Sequence, residues 1–141
     1  MSERLCCVFS LSKEDVFGKV NHIAWLEDKR HGDKPYYFRT GKPKRLPSGS
    51  KVLFSFQGKI FGEATVEEGV KELSAEEKRQ AKERDGFEYR YSMILDKPSI
   101  RIFKKHPTKK DVTLKIGKNF GRLFTYLNAV QYQQILRMTE E

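Results

Sequence analysis

Residues that ligate metals or run redox chemistry are scarce in this chain. Two cysteines occur in 141 residues, Cys6 and Cys7, and they are neighbours. Adjacent side chains on a strand point to opposite faces, so a bridge between them would be strained. They read as two covered, unreactive thiols. The three histidines, His22, His31 and His106, are scattered, which gives no spacing for a zinc site. No metal or other cofactor is expected. Long apolar runs are missing as well, and none approaches the roughly 18 residues that a bilayer-spanning helix needs. Leu5 to Leu11 (LCCVFSL) is the first apolar run. It lacks a clean basic segment before it and a small-residue cleavage site, so it does not read as a signal peptide. A cytoplasmic protein without a membrane partner is the expectation.

Catalytic signatures are also absent. There is no Gly-rich phosphate loop, no Walker pattern and no nucleophile elbow. His31 and His106 sit in hydrophilic, lysine-rich stretches and read as exposed loop residues, whereas His22 precedes an apolar patch and is placed to enter a pocket. Acid pairs such as Glu72 with Glu76 are explained by a solvated face. A catalyst is not expected.

What the chain does have is unevenly distributed charge. The net value is +9. Lys29 to Lys51 holds eight basic residues and one acid, and Asp96 to Lys118 holds eight and two. Between them Glu63 to Glu88 carries nine acids and five basic residues. Clustering of this kind points to a charged face and to a polyanionic partner. Aromatic residues are interleaved with the basic ones: Trp25, Tyr36, Tyr37 and Phe38 flank or enter the first segment, and Phe103 adjoins the second. Flat rings stack on unpaired bases while Lys and Arg follow phosphates. The phosphate-binding candidates are Arg39, Lys42, Lys44, Arg45, Lys104 and Lys105.

The length fits one domain spanning residues 1–141 with a modest core. Leu5 to Leu11 reads as a buried strand, followed by a short helix capped by Ser12 and ending near Asn21. His22 to Leu26 is an apolar patch of undecided type, and Lys29 to Lys34 reads as a loop. Tyr36 to Arg39 is strand-like. Lys51 to Gln57 and Ile60 to Val66 form a hairpin across Gly58-Lys59, where glycine first suits a type II′ turn. Ser74 and Glu77 make a capping box for a polar helix ending near Gly86. Phe87 to Leu95, Ile100 to Phe103 and Val112 to Ile116 read as strands, with a turn at Asp96 to Ser99. Asn128 caps a last helix from Ala129 to Met138. The fold class is therefore α+β, a small curled, mostly antiparallel, barrel-like sheet with about three short helices.

Leu46-Pro-Ser-Gly49-Ser-Lys-Val-Leu-Phe-Ser-Phe56, followed by Gly58-Lys-Ile-Phe-Gly62-Glu-Ala-Thr-Val66, resembles the central hairpin of PUA-like domains, the EVE and YTH branch above all and ASCH domains more distantly. Tyr132-Gln-Gln-Ile135-Leu136 resembles their closing helix. The ASCH-type Gly-x-Lys-x-x-Glu-x-Arg signature is not found. The resemblance implies a curled sheet that binds RNA or DNA, often gripping one modified, flipped base in an aromatic pocket. Relatives occur alone and in larger assemblies, including the targeting domains of modification-dependent restriction systems. By position, the implied pocket residues are Ser10, Asn21, Trp25, Phe56 and Gln57. Two other readings stay open: a hydrolase acting on RNA or a nucleoside, by analogy with catalytic ASCH relatives, and an interaction module whose basic face meets an acidic protein.

Overall fold

The computed structural model describes residues 6–11, 21–31, 36–38, 46–86, 88–120 and 124–140. In chain order the elements are β1 (Cys6–Leu11), α1 (His22–His31), β2 (Tyr36–Phe38), β3 (Lys51–Phe56), β4 (Lys59–Glu72), α2 (Ala75–Asp85), β5 (Tyr91–Ile102), α3 (Lys109–Ile116), β6 (Phe124–Leu127) and α4 (Ala129–Glu140). The strands form one curled sheet in the order β2-β5-β4-β3-β1-β6. Four of the pairings are antiparallel; β1 and β3 run parallel. A parallel pair needs a long crossover, and the chain between them carries α1 and β2. No described helix is long and apolar enough to cross a membrane.

Strand alternation divides the core into two clusters, one on each face of the sheet. On one face Cys7, Phe9, Val52, Phe54, Phe61, Ala64 and Val66 pack with Trp25 and Leu26 of α1. On the other, Cys6, Val8, Leu53 and Ile60 pack with Val112 of α3 and Tyr132 and Ile135 of α4. Because each cysteine is enclosed by its own cluster, burial pushes the Cys7 thiol up to about 12 and raises Cys6 well above its ordinary range.

The capping box at Ser74 forms as the sequence predicts. Glu77 N–H donates to the Ser74 hydroxyl at 3.2 Å, Ser74 N–H donates to the Glu77 carboxylate at 3.1 Å, and left-handed Gly86 ends α2.

Five local readings change. The hairpin turn is centred on Gln57 and Gly58, both at positive φ (51° and 77°), the type I′ pattern and not the II′ one, with Phe56 paired to Lys59. Lys29 to His31 belong to α1, not to a loop, and Asn21 starts that helix: Ala24 N–H donates to its side-chain oxygen at 2.8 Å. The helix expected over 13–20 lies outside the described residues.

Asp96 to Ser99 is an irregularity within one long strand, where pairing steps from Glu63↔Arg101 to Thr65↔Asp96. The Ser99 hydroxyl bridges the distortion, donating to the Asp96 carbonyl at 2.5 Å and accepting Thr65 N–H at 2.8 Å. Val112 to Ile116 is a helix, not a strand. Thr108 caps it by accepting Asp111 N–H at 3.2 Å, and left-handed Gly117 ends it. Its apolar alternation misleads because only Val112 and Ile116, four apart, face the core, while Leu114 is 77% exposed. The described residues thus hold four helices, where the sequence reading has about three.

Candidate nucleic-acid interface

At one end of the sheet three chain segments converge. The first is the β3–β4 turn. The second is the stretch from Phe103 to Lys110: Phe103 N–H donates to the Phe61 carbonyl at 2.9 Å, Ile60 N–H to Pro107 at 3.0 Å, and Lys109 N–H to Gly58 at 2.7 Å. The third is the start of α1, where the His22 ring stacks on Phe56 with centroids 4.8 Å apart and planes at 25°. His22 also meets Phe61 edge-on at 4.6 Å, and His106 lies 6.5 Å from Phe61 on centroids. His22 and Phe56 are both half-buried, so part of this stacked pair faces solvent.

The backbone bonds bring exposed Lys59 and half-buried Lys109 to the hairpin turn; exposed Lys104, Lys105 and Lys110 lie on the same docked stretch, where Lys105 N–H donates to the Thr139 carbonyl of α4 at 3.3 Å. Burial holds the His22 imidazole below its ordinary pKa, with repulsion from His106 and then Lys59 adding to the effect. His106 has a ring nitrogen 3.0 Å from the Phe103 carbonyl, which fixes its orientation. The arrangement can therefore offer a flat, mostly neutral ring surface beside a lysine-rich edge.

Of the five sequence-predicted pocket residues, Phe56 is in the stack, Asn21 and Gln57 adjoin it along the chain, and Ser10 and Trp25 lie away from it. Ser10 and Ser55 pair across β1 and β3, the Ser55 hydroxyl lying 3.2 Å from that of Ser10. Alternation puts both on the face of α3 and α4, whereas Phe56 points to the α1 side. Asn21 is exposed and spends its side chain as the helix cap, and Gln57 is exposed at the turn. Trp25 lies deeper, 6% exposed, edge-on to Tyr36 and Phe54 at 5.8 and 5.6 Å, with Lys29 Nζ 5.3 Å from its ring centroid. Lys104 and Lys105 are at this end; Arg39, Lys42, Lys44 and Arg45 lie outside the described residues.

Sequence reasoning missed Lys59, Lys109 and Lys110: Lys59 pairs with Phe56 across the turn, and Lys109 reaches the turn through the docking of the Phe103–Lys110 stretch on Gly58. It also missed a polar network on the α4 face. Glu63 is 6% exposed and is held by Arg101 Nε at 2.6 Å and by the Tyr132 hydroxyl, which donates to its other oxygen at 2.7 Å. Burial, reinforced by that bond to Glu63, holds the Tyr132 phenol protonated well beyond its ordinary range. A signal existed: Glu63 in IFGEATV and Arg101 in IRIF are each a lone charge inside an apolar run.

Known proteins share this backbone at low sequence identity. No protein-family model and no curated protein matches the sequence. Among solved structures, the ASCH protein of Zymomonas mobilis, as a point mutant, is 13% identical and superposes with a TM-score of 0.64 over 99% of this chain and 100% of that one. The N-terminal domain of Thermococcus gammatolerans McrB bound to m5C DNA is 11% identical, with a TM-score of 0.55 over 95% of this chain and 96% of that one. A Zygosaccharomyces rouxii YTH domain in complex with N6-methyladenosine RNA is 13% identical, with a TM-score of 0.56 over 100% of this chain and 90% of that one. The curled six-stranded sheet, its crossover helix and its closing helix give this chain the PUA-like fold that the hairpin sequence implies.

Proposed function

We propose that this chain is a nucleic-acid-binding module, and that the hairpin end of its sheet is where an unpaired base is held. The observation that carries the reading is the His22–Phe56 stack beside the hairpin turn, with Lys59 and Lys109 at that turn and Lys104, Lys105 and Lys110 on the stretch docked against it. A base stacked on such a surface gains about 1–3 kcal/mol, and each phosphate met by a lysine adds a salt-dependent contribution. A finer preference for a methylated base is supported by two structures of the same fold, one bound to m5C DNA and one to N6-methyladenosine RNA. A methyl group adds apolar surface for a ring to cover, and the cost of unstacking the base, a few kcal/mol, is offset by the new stacking. The reading is of a binder that leaves its ligand unchanged.

The test is a titration panel of matched methylated and unmethylated oligonucleotides, RNA and DNA, single- and double-stranded, at several salt concentrations. Binding should weaken steeply with salt, and His22→Ala or Phe56→Leu should reduce affinity and narrow any methyl preference. Negligible affinity for every oligonucleotide at low salt would end the proposal. End-labelled oligonucleotides should be recovered intact after long incubation; accumulating product would replace the binding module with an enzyme.

A further inference from the structure

On the α4 side of the sheet one arginine is fixed by a single one of its five N–H donors. Arg101 stands opposite Glu63 in the β4–β5 ladder and donates from Nε at 2.6 Å. Glu63 is itself locked from behind by Tyr132 of α4. The guanidinium carbon lies 5.2 Å from the Phe103 ring centroid, so its plane is supported as well. Among the described residues the only hydrogen bond from this guanidinium is the one from Nε, and the side chain is 45% exposed. An arginine left to itself sacrifices side-chain entropy when it grips a ligand. Here Glu63, Tyr132 and Phe103 have already removed much of that freedom.

We propose that Arg101 is a phosphodiester clamp, its two terminal nitrogens forming a fork for the non-bridging oxygens of one backbone phosphate. The fork geometry matches two oxygens on one phosphorus. Glu63 cancels the local charge of Arg101, so geometry supplies the recognition, while exposed Lys104 and Lys105, three and four residues on, supply the attracting field. Glu63 and Tyr132 are positioning residues that act through Arg101. The inference deepens the nucleic-acid reading and rests on it. It extends the footprint from the stacking surface on the α1 side, around the end of the sheet, to the α4 side. The two are joined there by the Phe103–Phe61 backbone bond.

The test measures affinity against salt for the best-bound oligonucleotide, with native protein, Arg101→Lys, Arg101→Ala, and Arg101→Ala combined with Glu63→Gln. The double variant avoids leaving a buried carboxylate unpaired, and urea midpoints confirm folding. Loss of one phosphate contact should lower the slope of log affinity against log salt by about 0.7–0.9, which amounts to roughly five- to eightfold weaker binding at 0.1 M salt. Arg101→Lys should keep the slope and still lose affinity, because a point charge replaces the fork. Tyr132→Phe should act in the same direction as Arg101→Lys, without altering the slope.

A second arm adds inorganic tripolyphosphate to native protein and follows the Arg101 Nε–H resonance, which should shift saturably. Native affinity and slope in both alanine-containing variants would overturn the clamp while leaving the binding module standing if Lys59→Ala and Lys109→Ala still weaken binding. If native protein binds no oligonucleotide, the module fails first, and an unmoved Arg101 resonance in tripolyphosphate then removes the clamp independently.

Discussion

Replacing Gly62 with alanine tests whether α1 is seated on the sheet as the structure shows. A Cβ at this position would lie 2.3 Å from Leu26 Cδ2 and 2.9 Å from the Arg101 carbonyl oxygen. The first neighbour is the tip of a side chain, but Leu26 is 0% exposed and packs within the core, so a shift moves it against other core side chains. The second is backbone in the adjacent strand and cannot rotate away. Overpacking of this kind costs about 1–3 kcal/mol. Leu26→Ala alone should cost about 2–5 kcal/mol through lost burial and the cavity left behind.

The double variant separates the two collisions. If Leu26 is the main obstacle, the double variant should be less destabilised than the sum of the singles by at least about 0.5 kcal/mol, because the new methyl occupies space the leucine vacated. Rescue should be partial, since the Arg101 carbonyl remains. Urea unfolding reads this directly, as a shift in midpoint at constant m-value. Because α1 also carries His22, Gly62→Ala should alter the ring-current shift that Phe56 imposes on the His22 ring protons. A Gly62→Ala protein within about 0.5 kcal/mol of native, or strict additivity in the double variant, would refute the seating of Leu26 on Gly62.

Two further outcomes follow from half-buried His22 and the two buried cysteines. The folded His22 pKa is depressed below the unfolded value of about 6.5, chiefly by burial, so the unfolded chain binds more protons in the window between the two. The His22 contribution to stability is therefore complete above pH 6.5 and is lost as pH falls through the folded value. The urea midpoint should drop between pH 7.5 and 5.5, and drop less in His22→Gln; equal drops would exclude His22 as the source. Cys6 and Cys7 are buried with raised pKa values, so at pH 8 an aromatic disulfide reagent should label neither in native protein and both in urea. Rapid labelling without denaturant would contradict their enclosure.

Local physics made several elements legible without a structure. Ser74 and Glu77 satisfy each other's backbone donors within four residues, so the capping box of α2 needs no tertiary partner. The apolar runs of β1 and β3 bury side chains on both faces and read as central strands for that reason. Gly62 and Ala64, at alternate positions, announce a shallow face, and that face is where Leu26 of α1 sits. The charge clusters point to a polyanion because charge is counted along the chain.

What tertiary structure decided depends on contacts between distant residues. The alternation in VTLKI suits a strand as well as a helix, and the Thr108 cap together with docking beside the Gly58 turn selects the helix. Trp25 could line a pocket or fill the core; the curl of the sheet places Tyr36 and Phe54 against it and covers it. The stacking surface pairs residues 22 and 56, and the arginine fork is aimed by partners 38 residues before it and, through Glu63, on a helix 69 residues beyond that carboxylate. Composition names the charges and rings this chain carries, but only the folded sheet sets which of them share an end of it, because side-chain neighbours across strands are fixed by register and not by sequence distance.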